Sequence, residues 1–390
     1  MPRDSPCPHY PRCVGCPLIG TAYGAQLDRK RDLVRAALAE YATLADVDVP
    51  DVVGSPRAFG YRNQAKLVAR ESPHGLRLGI YRPGTHDVVD IRRCPVHAPP
   101  INDVIARVAA VLERHRLSIY DERSGAGVLR YLIVRTSLWN RQVQVVLVAS
   151  TRAVPRLGEI VRAIRRSRSV SSVVLNVNRD PGNVIFGPDF AALTKEDGLV
   201  EKIGGLRLRT RAGAFLQANP NVAGRIYRQV ASWADLGSQE VAFDLFCGVG
   251  ALTFHLAASA RTVFGVESSS IAVVDAKRNA RLNGIHNTRF HAGDAGAVLA
   301  ELARELRPAV VSLNPPRKGA SAELLAAIAA SAPRRVIYVS CDPRTLARDL
   351  DVMAAQGYRV GAVRAYDMMP QTEHVETCAL LERVAATPLA

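Results

Sequence analysis

A chain of 390 residues, 48% hydrophobic and 22% charged and without a low-complexity tract, can bury the cores of two or three domains, which excludes reliance on a disulfide framework and wholesale disorder. A formal net charge of +15 and a pI near 9.9 make nucleic acid the leading partner class, although an arginine-rich composition would give the same excess. No apolar run approaches the roughly 20 residues of a bilayer span, and Met1-Pro2-Arg3-Asp4-Ser5-Pro6 lacks a signal peptide's apolar core, so a cytoplasmic protein with no membrane attachment is expected.

The chain opens on a stretch rich in Pro, Cys and Gly that reads as an irregular loop. From Ala25 to Tyr41, apolar Leu27, Leu33, Val34, Ala37 and Leu38 recur at helical spacing, and prolines from Pro50 to Pro56 end the pattern. Strands are predicted over Gln64 to Arg70, Leu76 to Tyr81 and His86 to Ile91, with Arg82-Pro83-Gly84 as a turn, then a helix from Ile101 to His115. Further strands over Tyr131 to Thr136, Val143 to Ala149 and Ser172 to Asn178, with a basic helix from Pro155 to Arg168, suggest an α+β domain built on antiparallel pairs.

Beyond about Thr210 the texture becomes β-α alternation. Val241 to Phe246, Thr262 to Val266, Ala309 to Leu313 and Arg335 to Val339 alternate with Ala-rich helical stretches, as in a doubly wound, mostly parallel sheet. Tyr358 to Ala365 and Thr377 to Glu382 would add an antiparallel edge. The division expected is 1–24 with 57–212 as one α+β domain, and 25–56 with 213–390 as an α/β catalytic domain.

Asp244-Leu245-Phe246-Cys247-Gly248-Val249-Gly250 runs from a strand through a glycine turn into a helix. Gly248 and Gly250 would let the backbone pass under a ligand at the sheet's carboxyl edge, where open α/β sheets bind ligands. Glu267 ends the next strand, placed to accept from both hydroxyls of a ribose, and Asp294 ends the third. Together with Asp244 they suit an adenosine ligand, NAD or SAM; Thr253 at the third glycine position counts against NAD. Asn314-Pro315-Pro316-Arg317 closes the fourth strand, its prolines fixing the Asn amide, and resembles the Asn-Pro-Pro-aromatic signature of amino-group methyltransferases, with Arg where the ring would stand.

Ser340-Cys341-Asp342-Pro343 follows the fifth strand, which puts a nucleophilic thiol on the same edge. Glu376, just before the last strand, is the candidate base. Three further cysteines, Cys7, Cys13 and Cys16, crowd the start and, with Cys94, supply four thiolates; the spacing gives zinc a slight edge over an iron–sulfur cluster.

Phe215-Leu216-Gln217-Ala218-Asn219, Asp244 to Gly250, Asn314 to Gly319, Ser340-Cys341-Asp342 and Pro370-Gln371-Thr372-Glu373-His374-Val375-Glu376 resemble the RNA uracil-5-methyltransferases, a likeness spanning essentially the whole chain. The resemblance implies a class I SAM-dependent fold in which Gln217, Phe246, Glu267 and Asn314 bind SAM, Cys341 is the nucleophile and Glu376 removes a proton. It also shifts the cysteine reading to a structural 4Fe-4S cluster on Cys7, Cys13, Cys16 and Cys94. Many members carry Asp-Pro where this chain has Asn314-Pro315; the Asn form looks like the branch that modifies 23S rRNA. Members with an N-terminal RNA-binding barrel have it ahead of the first cysteine, and with six residues before Cys7 that barrel is expected to be absent.

RNA contacts are then expected from Arg162, Arg165, Arg166 and Arg168, from Arg207, Arg209 and Arg211, and from Tyr61-Arg62-Asn63. The expectation is a monomer, with no protein partner, acting on 23S rRNA. Alternatives are a transfer-RNA uridine or two ribosomal sites, methylation of an exocyclic amine through Asn314-Pro315-Pro316, and a non-catalytic iron–sulfur RNA-binding protein.

Overall fold

In the computed structural model, residues 6–182 and 184–384 are described; Met1 to Ser5, on which the signal-peptide expectation largely rests, lie outside them. The chain divides into two units, one holding the chain up to Gly20 with Arg57–Lys202 and Arg209–Gly213, the other Thr21–Pro56, Ile203–Leu208 and the chain from Ala214.

In chain order the elements begin with α1 (Tyr23–Ala39), which belongs to the second unit, and continue in the first with β1 (Gln64–Ser72), β2 (Gly75–Tyr81), β3 (Val88–Asp90), α2 (Pro99–Arg114), β4 (Leu129–Thr136), β5 (Val143–Ala149), α3 (Leu157–Ile164), β6 (Val170–Val177) and β7 (Asp189–Ala192). Their sheet runs β3-β2-β1-β4-β5-β6-β7. Every residue of β4 and β5 is buried, so both faces must be covered. Leu132, Val134, Val145 and Leu147 meet α2 and α3 through Ile105, Val108, Ile160 and Ile164. The alternate residues Tyr131, Ile133, Val146 and Val148 meet Phe186 and Phe190 on the other face.

Two expectations are corrected here. The sheet is not wholly antiparallel: β5 and β6 pair in parallel, which requires the crossover that α3 provides. The basic helix is also shorter than predicted, ending at Ile164, so Arg165, Arg166 and Arg168 lie in the loop that leads into β6. Strand β7 was not anticipated, nor was β8 (Gly198–Ile203), which pairs with β9 (Leu206–Arg211) where the chain changes unit.

The second unit continues with α4 (Pro220–Ala234), β10 (Val241–Leu245), α5 (Ala251–Ala257), β11 (Thr262–Glu267), α6 (Ser270–Leu282), β12 (Thr288–Ala292), α7 (Ala295–Leu306), β13 (Val310–Leu313), α8 (Ala322–Ala330), β14 (Arg335–Ser340), α9 (Pro343–Ala355), β15 (Tyr358–Tyr366) and β16 (Glu376–Arg383). The strand order is β12-β11-β10-β13-β14-β16-β15, parallel through β14, with β16 and β15 antiparallel. Val222, Ile226, Val230, Leu252 and Val273 of α4, α5 and α6 cover one face. Val34, Leu38, Leu299, Leu324, Leu346 and Leu350 of α1, α7, α8 and α9 cover the other. Helix α1 is therefore a layer of this unit, although many residues separate it from the rest.

Candidate active site

The carboxyl edge of the parallel strands gathers the residues singled out by sequence. After β10 the backbone takes positive φ at Phe246 (61°), Gly248 (55°) and Gly250 (89°). Phe246 is the unusual one, a bulky side chain in the left-handed region, and such strain persists where the surroundings over-determine it. A Cβ on Gly250 would stand 2.6 Å from the Phe254 ring, whereas one on Gly248 meets nothing within 4 Å, leaving open space above the turn.

Asp244 is not a loop carboxylate, contrary to expectation. It is buried in β10, accepting from Thr253 Oγ1 at 2.6 Å and Ser312 Oγ at 2.9 Å, so that it ties α5 and β13 to the central strand. Burial pushes its pKa up to about 6 against the pull of those hydrogen bonds. Thr253, which broke the dinucleotide fingerprint, therefore has its own work as a donor.

Glu267 is half-buried and accepts from Gly248 N at 3.1 Å and Ser269 N at 2.8 Å, which locks the glycine turn to the next loop. Asp294 caps α7, with Oδ1 accepting from Gly296 N and Ala297 N, each at 3.0 Å. It also lines a cavity of about 410 Å³ with Phe246, Pro316 and Gly319. Gln217, Gly248 and Asn314 line a narrower cleft, and Phe246 borders both.

At the other end of the edge, β14 and β16 pair with Ser340 opposite Thr377. In an antiparallel pair the residue after Ser340 then stands beside the residue before Thr377, which brings Cys341 and Glu376 together although 35 positions separate them. Glu376 is 9% exposed and its Oε2 has no hydrogen-bond partner among the described residues. Burial pushes its pKa up to about 7, with Arg317 pulling the other way. The Cys341 thiol is half-buried and raised by burial and by the Glu376 charge, while Arg317 lowers it by charge and by a hydrogen bond.

Arg317 is the residue that sequence reasoning missed, having been noted only as a missing aromatic. It is exposed, and its Nη2 lies 3.4 Å from His374 Nε2. Nothing in linear spacing links the loop after β13 to that before β16; only the strand order does.

The loop carrying Gln371 and His374 is held from α1. Gln26 and Gln371 exchange two hydrogen bonds, side chain to side chain at 3.1 Å and Gln371 N to Gln26 Oε1 at 3.0 Å. Lys30, wholly buried, pairs with buried Asp367 and donates to Met369 O at 3.1 Å; Tyr23 donates to Asp367 at 2.8 Å.

In the first unit, Cys7, Cys13, Cys16 and Cys94 form no disulfide and share one neighbourhood: Cys16 is pushed up to about 12, first by burial and then by Cys94, Cys13 and Cys7. Among the described residues no three His, Cys, Asp or Glu side chains close on a point as a single bound ion requires. Of the residues expected to meet RNA, Tyr61 and Asn63 are buried, and Arg209 is paired with Asp197. Arg162, Arg165, Arg166 and Arg168 are exposed. No helix among the described residues is long and apolar enough to cross a membrane.

The chain resembles known proteins. A family model described as tRNA (Uracil-5-)-methyltransferase matches residues 201–384. An uncharacterized RNA methyltransferase of Geobacter sulfurreducens is 42% identical over 377 residues, 96% of this chain and 76% of that protein. Another, of Bacillus cereus, is 36% identical over 384 residues, 98% of this chain and 84% of its own length. The crystal structure of Pyrococcus abyssi tRNA (uracil-54, C5)-methyltransferase in complex with S-adenosyl-L-homocysteine superposes with a TM-score of 0.75 at 28% identity, covering 95% of this chain and 86% of that one. With the strand order of the second unit and a thiol beside a carboxyl at its edge, these likenesses establish that the chain belongs to the RNA uracil-5-methyltransferase family.

Proposed function

We propose that the protein methylates carbon 5 of a uridine in 23S rRNA, using SAM, with Cys341 as covalent nucleophile and Glu376 as base. The register that sets Cys341 beside Glu376 carries this reading. Neighbouring strands β10, β13, β14 and β16 deliver the glycine turn, Asn314, Cys341 and Glu376 in that order, and strands lie about 4.8 Å apart, so the thiol stands roughly 10 Å along the edge from the turn. That is the reach of a methyl donor lying over the turn.

Bound SAM supplies an electrophilic methyl group. Glu267 would take its ribose hydroxyls and Gly248 leaves room for it, with Gly250 letting the turn pack against Phe254, while Phe246, Asp294, Gln217 and Asn314 line the two cavities that it would span. The Pyrococcus relative, crystallised with S-adenosyl-L-homocysteine, supports this cofactor. Asn314 has no carboxylate and acts only through its hydrogen bonds.

Carbon 5 of uracil is a poor nucleophile. The Cys341 thiolate adds to carbon 6, the displaced electron pair moves into an enolate, and carbon 5 takes the methyl group. Glu376 then removes the remaining proton from carbon 5, the 5,6 double bond re-forms and the thiolate leaves with its electron pair. A carboxyl poised near neutrality with an unbonded oxygen suits that step. The side chain must be ionised to accept, so the rate is expected to fall as pH drops below about 7. Glu376→Gln should cut turnover by roughly 10²–10⁴-fold and leave methylated RNA covalently attached to the protein, visible on a denaturing gel. Rapid release of product by this variant would remove Glu376 from the role.

The choice of 23S rRNA rests on Asn314-Pro315. A second reading, a transfer-RNA uridine, is favoured by the family model's description and by the Pyrococcus relative's own substrate. Nucleoside mass spectrometry of ribosomal and transfer RNA treated with the protein and SAM separates the two; methyl groups on an exocyclic amine would overturn both.

For the cysteines we propose a structural 4Fe-4S cluster. Four thiols in one electrostatic neighbourhood supply the ligand set that such a cluster takes, and the family likeness favours it over zinc. Anaerobically purified protein should carry iron and acid-labile sulfide, both lost in Cys94→Ser. Stoichiometric zinc without sulfide would reverse the assignment.

A further inference from the structure

The first unit presents an aromatic side chain that none of the foregoing chemistry uses. Trp139 is 51% exposed at the tip of the β4–β5 hairpin. Its loop is nonetheless rigidly built. The carboxylate of Glu201, itself 3% exposed, accepts from Leu138 N at 2.7 Å, Trp139 N at 3.1 Å and Ser137 Oγ at 3.4 Å. Ser137 Oγ in turn accepts from Asn140 N at 3.3 Å, and Arg141 completes the turn at φ 60°. Burying a carboxylate is costly, and burial does raise the Glu201 pKa, opposed by these donors. What the buried charge holds in place is the shape of a surface loop with an indole pointing into water.

The same end of the sheet collects cations. Val143 pairs with Val170, and Val143 N donates to Ser169 O at 2.7 Å, so the α3–β6 loop lies next to the hairpin. Exposed Arg166 and Arg168 sit on that loop and exposed Arg141 on the hairpin. Of the nearby carboxylates, Glu201 is buried and Asp197 is paired with Arg209, leaving Glu196 exposed among those named.

We propose that this end of the sheet is a docking face for an unpaired stretch of the RNA substrate, with Trp139 stacking on a base while Arg141, Arg166 and Arg168 take the flanking phosphates. Every base offers a π-face to an indole, and an indole with only two side-chain torsions, carried on a tied backbone, loses little freedom on stacking. A protein partner would also cover an exposed Trp, but the clustered arginines and the family's substrate favour RNA. The inference rests on RNA being the substrate and not on which uridine is methylated.

The chain carries two tryptophans, the other being Trp233 in α4. A short single-stranded RNA of mixed sequence, and the same sequence as a duplex, serve as probes of intrinsic fluorescence. The expected result is quenching by the single strand in the parent and in Trp233→Phe, and none in Trp139→Phe, which keeps a stacking ring and binds with near-parent affinity. Trp139→Ala should bind about tenfold more weakly with an unchanged salt dependence. Arg166→Ala/Arg168→Ala should instead flatten the plot of log affinity against log salt, by about 0.7 for each phosphate no longer neutralised. SAM affinity, set in the other unit, should stay constant throughout. Parent-like RNA binding by Trp139→Ala overturns the docking face and leaves the proposed methyl transfer intact, as does quenching by the duplex alone.

Discussion

Cys341→Ala is expected to lower methyl transfer to RNA by roughly 10⁴-fold or more, the order of loss seen when a covalent nucleophile is removed, while SAM still binds. The substitution deletes a half-buried sulfur at a loop start, so the fold should tolerate it. Without addition to carbon 6 no enolate forms, and carbon 5 has no electron pair to offer. Serine should not rescue the rate, because an alcohol yields far less of its anion near neutral pH than a thiol does. Methyl incorporation into RNA and calorimetric titration with SAM read the two halves of this expectation. Parent-like transfer by the alanine variant would end the covalent reading. The other cysteines of the unit cannot substitute: Cys247 and Cys378 are buried and their thiols are pushed well up, chiefly by burial.

Lys30→Met is expected to destabilise the second unit by about 3–5 kcal/mol, since removing one member of a buried ion pair strands the other. Lys30 and Asp367 are both fully buried, and Tyr23 alone cannot neutralise the carboxylate. Burial lowers the Lys30 pKa and Asp367 opposes that shift, which is the signature of a charge kept by its partner. The double variant Lys30→Met/Asp367→Leu should recover much of the loss. Urea unfolding followed by Trp233 fluorescence, in a Trp139→Phe background, isolates the unit concerned. A loss below about 1 kcal/mol would show that the pair carries little.

The α/β half was legible in the sequence because its strands are apolar runs ending in chemistry: Asp244 to Gly250, Glu267, Asn314 and Cys341 each sit where a parallel strand stops. What sequence reading missed has physical causes. Asp244 looked like a ligand carboxylate because spacing does not report direction, and its side chain turns inward to Thr253 and Ser312. Arg317 became visible only once strand order set the loops after β13 and β14 beside that before β16. Strand β7 is short and half-exposed, with too little periodicity to register. The parallel pairing of β5 with β6 follows from α3 lying between them, a connection longer than a hairpin needs.

The grip of α1 on the segment from Asp367 to Gln371 has an effect on when the protein can become active during its synthesis. Lys30 meets an acceptor 337 positions downstream, and β16 enters the sheet between β14 and β15 as the last strand in the chain order described. Contacts of such long range close late and slow the folding step that makes them. A nascent chain still on the ribosome can therefore hold the glycine turn and Cys341 while lacking both Glu376 and the anchor of its loop. On the proposed mechanism, methylation waits until the chain as far as β16 has emerged, so that RNA does not meet an enzyme able to bond to a base but not to let it go.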